Sequence, residues 1–133
     1  MSNNAIDYTI CARRDYKNCI YLEQALFEDF AIYGVMFHIE QAIEKELIAL
    51  NLLSGGNEPH IADIDLQFYK DDCIKRSVVL PEELDDDLIN TLTAWVEASR
   101  YPSFPMRFSR SDYEKAKRIY YYLDNLFSEL TAD

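Results

Sequence analysis

Apolar and polar positions recur along the chain at steps of three and four residues, the period of an amphipathic helix, and alternating strand patterns are absent. Five such stretches are legible. The first covers about Ala5 to Gln24, where Tyr8, Cys11 or Ala12, Tyr16, Cys19 and Leu22 or Glu23 recur at these steps. After a short LFEDF corner, Asp29 is placed to cap a second helix running to about Leu53. That helix is apolar on most sides, through Phe30, Tyr33, Phe37, Ala42, Leu47 and Leu50, which predicts the central element of a bundle. SGGNEP ends it, with Gly55 able to take the left-handed cap conformation.

A third, shorter helix is predicted over about Ile61 to Ile74. Pro81 then suits the first turn of a fourth helix, followed by Glu82, Glu83, Asp85, Asp86 and Asp87 at the positive end of its dipole. The fourth helix buries Leu84, Leu88, Leu92 and Trp95 or Val96, and stops at Ser99-Arg100-Tyr101 because Pro102 follows. The fifth opens on a capping box, Ser111-Asp112-Tyr113-Glu114. Its stripe is Tyr113, Ala116, Ile119/Tyr120, Leu123, Leu126/Phe127 and Leu130. The predicted fold is all-α, an antiparallel bundle of about five helices forming a single domain over residues 1–133, with the second and fifth helices in the core.

Composition adds limits. A 133-residue chain that is 49% apolar buries one ordinary core. Its long uncharged runs, such as Phe30 to Ile39, are only about half of the ~20 residues a membrane helix needs. The N-terminal MSNNAIDYTICARRD lacks the apolar core of a signal peptide. Three cysteines, Cys11, Cys19 and Cys73, without CxxC spacing, read as reduced and mostly buried thiols of a cytoplasmic protein. A net charge of −11 argues against broad nucleic-acid binding. The charge is uneven, however. Residues 100–118 hold six basic side chains against two acidic ones, a local +4 that leaves −15 on the rest. An anionic ligand should prefer this C-terminal region.

Familiar chemistry is largely excluded. Neither GxxxxGK[ST] nor GxGxxG occurs. The two histidines, His38 and His60, have Val35 and Asn57 three residues earlier, so the Glu-x-x-His pairs of a di-iron bundle are missing. No local motif marks a catalytic nucleophile, and His38 in an apolar stretch reads as a half-buried packing residue. No metal or cofactor is expected. The informative stretch is 37-FHIEQAIEKELIAL-50. There Gln41 and Lys45 share one helix face, as do Glu40 and Glu44. These polar residues interrupt an otherwise apolar helix, which reads either as an exposed face or as a polar functional groove.

Several stretches together resemble the HEPN domain, a small helical domain that often accompanies minimal nucleotidyltransferases. The resemblance runs through 13-RRDYKNC-19 and 29-DFAIYGVMFHIEQAIEKELIAL-50, similar to the family's aromatic-A-x5-Q-A-x-E-K-x-L-K-A-L helix. It continues through Pro59-His60, Leu80-Pro81-Glu82, and Ser99-Arg100-Tyr101-Pro102, which matches the family's A-R-Y-P signature. Two departures occur: Glu40 stands where the family often has a second glutamine, and Ile48 where it has a lysine. One HEPN group comprises metal-independent ribonucleases with an Arg-x4–6-His motif. Here the required arginine is absent before His38 (Ala31, Ile32, Tyr33) and before His60 (Leu53, Ser54, Gly55). The required histidine is likewise absent after Arg100 (Pro105, Met106, Arg107). The resemblance therefore implies the other group: non-catalytic, nucleotide-binding or an accessory partner of a separately encoded minimal nucleotidyltransferase, in a toxin–antitoxin-like module. It also implies a homodimer. The alternatives are a divergent ribonuclease using, for example, His38 with Arg100, and a homodimeric interaction module without a small ligand. The expected ligand-binding residues are Gln41, Glu44, Lys45, Arg100 and Tyr101. Arg100 itself reads either as an anion-binding or interface group, or as a helix-end charge paired with a carboxylate such as Glu44.

Overall fold

The computed structural model describes residues 3–57, 65–101 and 106–132. Among them are five helices and no strand: α1 (Asn3–Glu23), α2 (Asp29–Leu53), α3 (Leu66–Lys75), α4 (Asp86–Arg100) and α5 (Arg110–Thr131). Helix α2 is the hub, in contact with each of the other four. The reason lies in its composition. From Glu46 to Leu52 every residue is buried, and a helix apolar all round is stable only when it is surrounded. Around it close Ala12 and Cys19 of α1, Leu66 and Tyr69 of α3, Leu88, Leu92 and Trp95 of α4, and Tyr113, Leu123 and Phe127 of α5.

Helices α1 and α2 run antiparallel: Cys19 donates its thiol to Val35 O at 3.5 Å, while Thr9 pairs with Glu46 at the other end. Helix α5 runs antiparallel to α1 as well. Glu23 meets Tyr113, Tyr16 stacks on Tyr120 with ring centroids 4.4 Å apart, and Arg13 reaches Asp124. The cysteines are unpaired; Cys19 and Cys73 are buried and behave as small apolar residues. No helix among the described residues is long and apolar enough to cross a membrane.

The stripes are largely where the pattern puts them. Tyr113, Ala116, Ile119, Tyr120, Leu123 and Phe127 are buried, but Leu130 at the frayed end of α5 is 57% exposed. Phe30 is also out of the core, at 65% exposure, because it sits on the first turn of α2 before that helix enters the bundle, and Tyr33 and Phe37 are only half-buried. Gly55 takes the left-handed conformation expected of it, with φ of 92°. Gly56 N donates to Asn51 O at 2.9 Å and Gly55 N to Leu52 O at 3.2 Å, the pair of bonds that satisfies the terminal carbonyls of a helix.

The helix starts differ from the sequence reading. Glu28, not Asp29, is the cap of α2, and no side-chain bond accompanies it. Asp29 instead lies in the first turn, where its charge meets the helix dipole. Pro81 does not open α4: its carbonyl accepts from Leu84 N at 3.1 Å in a separate turn. Helix α4 begins only where Asp85 captures Leu88 N at 2.9 Å. The cap of α5 is Ser109, whose hydroxyl accepts from Asp112 N at 3.1 Å, two residues before the expected Ser111. In α3, Asp65 caps Phe68 N at 3.0 Å; the expected start at Ile61 lies outside the described residues. In α4 and α5 a side-chain oxygen three residues ahead of an N–H outcompetes the cue read from sequence.

Candidate functional site

The polar positions of α2 fall at His38, Gln41 and Lys45, steps of three and four, so one strip of the helix carries all three. They are half-buried, as is Glu44 beside them. The strip is built against α1. Asp15, itself buried, accepts from Lys45 Nζ at 2.5 Å on one oxygen and lies 2.8 Å from His38 Nδ1 on the other. An aspartate so placed fixes the imidazole ring. Its other nitrogen, Nε2, is directed away from Asp15.

On the opposite flank of the strip, Gln41 Nε2 donates to Glu40 Oε1 at 2.7 Å. Glu40 is buried, and its carboxyl is held well above the ordinary range, first by burial and then by the neighbouring Glu44 carboxylate. Glu44 is raised too, by burial, while the bond from Glu40 and the charges of Lys45 and Arg100 oppose the shift. Burial of the pair, together with the Glu44 charge beside Glu40, thus disfavours ionising both carboxyls at once.

Gln41, Glu44 and Lys45, placed together by the sequence pattern, share the strip. Arg100, at the last turn of α4, is exposed and forms no ion pair with another described residue. Its charge still acts on Glu44 through space. The direct Glu44–Arg100 bridge considered from sequence is therefore not formed. Tyr101, the C-cap of α4, is 62% exposed and lines a separate groove of about 440 Å³ with Thr93, Ala94, Glu97, Ala98 and Met106. This face of α4 is set off from the flank that carries Arg100 by about a quarter turn. Of the six basic residues between 100 and 118, two serve the scaffold: Lys117 binds Glu23 at 2.5 Å and Arg118 binds Glu83 at 2.8 Å.

The sequence pattern did not single out Asp15. It lies in the charged middle of α1, and only the antiparallel pairing of α1 with α2 brings it between His38 and Lys45. The expected packing role of His38 holds, with the addition of a carboxylate partner. Among the described residues no group of three or more His, Cys, Asp or Glu side chains is arranged to hold a metal ion.

A five-helix bundle with a central polar-striped helix defines a class rather than a single activity. Within it, the model of the HEPN domain matches residues 12–130. The chain belongs to the HEPN domain family. Neither a curated protein nor a solved structure is significantly similar to it.

Proposed function

We propose that this HEPN protein is non-catalytic and binds a nucleotide through the polar strip of α2, as an accessory partner of a separately encoded minimal nucleotidyltransferase in a toxin–antitoxin-like module. One observation carries the reading: Gln41, Glu44 and Lys45 lie half-buried together on an otherwise apolar helix, within the electrostatic reach of Arg100. Lys45 and Arg100 supply positive charge for phosphate, and the Glu44 carboxylate and Gln41 amide supply hydrogen-bonding groups for a base or ribose. Tyr101, exposed in the separate groove of α4, is not part of this site. The absence of the Arg-x4–6-His spacing supports a role without hydrolysis. Homodimerisation fits the exposed apolar residues of α1, Ile6, Ile10, Ile20 and Tyr21, and the unpaired cysteines fit a reducing cytoplasm.

The test is a calorimetric titration of ATP, GTP, CTP and UTP into wild type and Arg100→Ala. Binding by the wild type, weakened about tenfold or more in the folded variant, is the expected result. Equal affinity in both proteins removes Arg100 from the site. Light scattering at micromolar concentration reads the dimer, and a monomer rules it out.

A second reading rests on the Asp15–His38 pair. An imidazole oriented by a carboxylate is an acid–base group, and it would serve a divergent ribonuclease. An RNA cleavage assay on wild type and His38→Ala separates the two readings: cleavage lost in the variant establishes the second.

A further inference from the structure

A second polar cluster lies away from the strip, where α1, α2 and α5 meet. Glu46 of α2 is completely buried. Thr9 of α1 donates its hydroxyl to Glu46 Oε1 at 2.7 Å, and the same hydroxyl lies 3.5 Å from Asp124 Oδ1 of α5. A hydroxyl has one proton, and the shorter distance assigns it to Glu46. Asp124 is served instead by Arg13, whose Nε donates to Oδ1 at 2.9 Å. That leaves Glu46 Oε2 buried with no donor. A buried carboxylate oxygen without a donor is costly, whereas a carboxylic acid needs only an acceptor. The Asp124 carboxylate, gathered at the same hydroxyl, is placed to be that acceptor.

We propose that Glu46 is held as the neutral acid, and that its Oε2 proton, donated to Asp124, latches α5 and α1 onto α2. Loss of the proton to solvent sets two carboxylates against each other inside this junction and loosens it. The groups facing Glu46 are Thr9 and Arg13 from α1 and Asp124 and Tyr120 from α5. Burial is the largest influence and the Asp124 carboxyl adds to it; Thr9 and Arg13 oppose, and the acid is pushed up to about 9.

In the unfolded chain a glutamate ionises near about 4.3. The latch stabilises the fold fully below that pH. Its contribution declines as pH rises toward the folded value, because the unfolded chain releases a proton that the folded chain keeps. This inference is independent of nucleotide binding.

Wild type and Glu46→Gln, unfolded by denaturant at pH 6, 7 and 8, test it. The amide keeps the Thr9 bond and a donor toward Asp124 but cannot ionise. The folding equilibrium constant of wild type should fall more steeply than that of the variant, by about tenfold per pH unit, the slope of one proton. The variant should gain on wild type toward alkaline pH. Parallel curves overturn the proposal. A second measurement on wild type alone guards against a variant that fails to fold: carbon-13 NMR of the Glu46 carboxyl. A titration midpoint well above the ordinary glutamate range supports the latch, and a midpoint within that range overturns it.

Discussion

Helix α2 carries two carboxyl clusters, Glu40 with Glu44 and Glu46 with its partners, and they differ in how they meet the rest of the molecule. Glu46 is enclosed by α1 and α5, with Thr9, Arg13 and Asp124 answering it from two other helices. Glu40 and Glu44 answer each other along α2 itself, with Gln41 beside them and Arg100 at longer range. The first cluster is a joint: every group in it ties one helix to another. The second reaches the surface through the half-buried Glu44, Gln41 and Lys45, and Arg100 has no ion-pair partner among the described residues. The same chemistry is sealed in one cluster and opens to the surface in the other, and only the second offers groups a ligand can reach.

This contrast can be attacked first through the scaffold. Leu123 of α5 is fully buried in the core. Leu123→Asp places an unpaired charge there and should remove about 5 kcal/mol or more, the whole stability of a marginal domain. Circular dichroism should show no cooperative melt; a wild-type melting curve would mean that α5 does not pack by this stripe.

A smaller effect is expected at the other end of the α1/α5 contact. Glu23 accepts from Tyr113 Oη at 2.6 Å and from Lys117 Nζ at 2.5 Å. Burial would raise its carboxyl, but the Lys117 and Tyr113 bonds outweigh this and hold it below the ordinary value. A depressed acid contributes stability above its unfolded value, and loses it as pH falls through the folded one. Glu23→Gln should therefore cost about 2 kcal/mol at neutral pH and less in acid. This is opposite in sign to the pH dependence of Glu46→Gln, and denaturant unfolding at pH 3.5 and pH 7 reads it.

Cap removal comes next. Ser109→Ala takes the side-chain acceptor from Asp112 N and should cost about 1 kcal/mol, measured as a lowered unfolding midpoint. Ser111→Ala should be nearly silent, which distinguishes the observed cap from the one expected from sequence.

The smallest effect concerns the strip. Asp15→Asn keeps an acceptor for His38 but loosens its hold on Lys45. The freed ammonium should raise nucleotide affinity a few-fold at low salt, in calorimetric titration, and the gain should shrink as salt is added.

How much of this was legible in the sequence depends on the range of the interaction. The stripes of α2 and α5 were readable, because burial repeats with the helical period, and so was the left-handed Gly55. The strip of Gln41, Glu44 and Lys45 was readable for the same reason. Caps were misplaced by one to five residues, since Asp85 and Ser109 compete with equally plausible neighbours that only the backbone geometry separates. The partners of Asp15 and Glu46 were not readable. Asp15 is one charge among several in α1, and Glu46 looks like another surface acid beside Lys45. Their pairing is set by the register of α1 and α5 against α2, which joins residues 23, 37 and more positions apart.

The central claim is that the strip, rather than the enclosed junction or the groove beside Tyr101, is where a nucleotide binds. Backbone and side-chain NMR shifts of wild type, followed as ATP or GTP is added, test it most directly. Shifts concentrated at Gln41, Glu44, Lys45 and Arg100, with Glu46 and Asp124 unmoved, are predicted. Shifts confined to Thr93, Ala94, Glu97 and Met106, or none with either nucleotide at millimolar concentration, would contradict it.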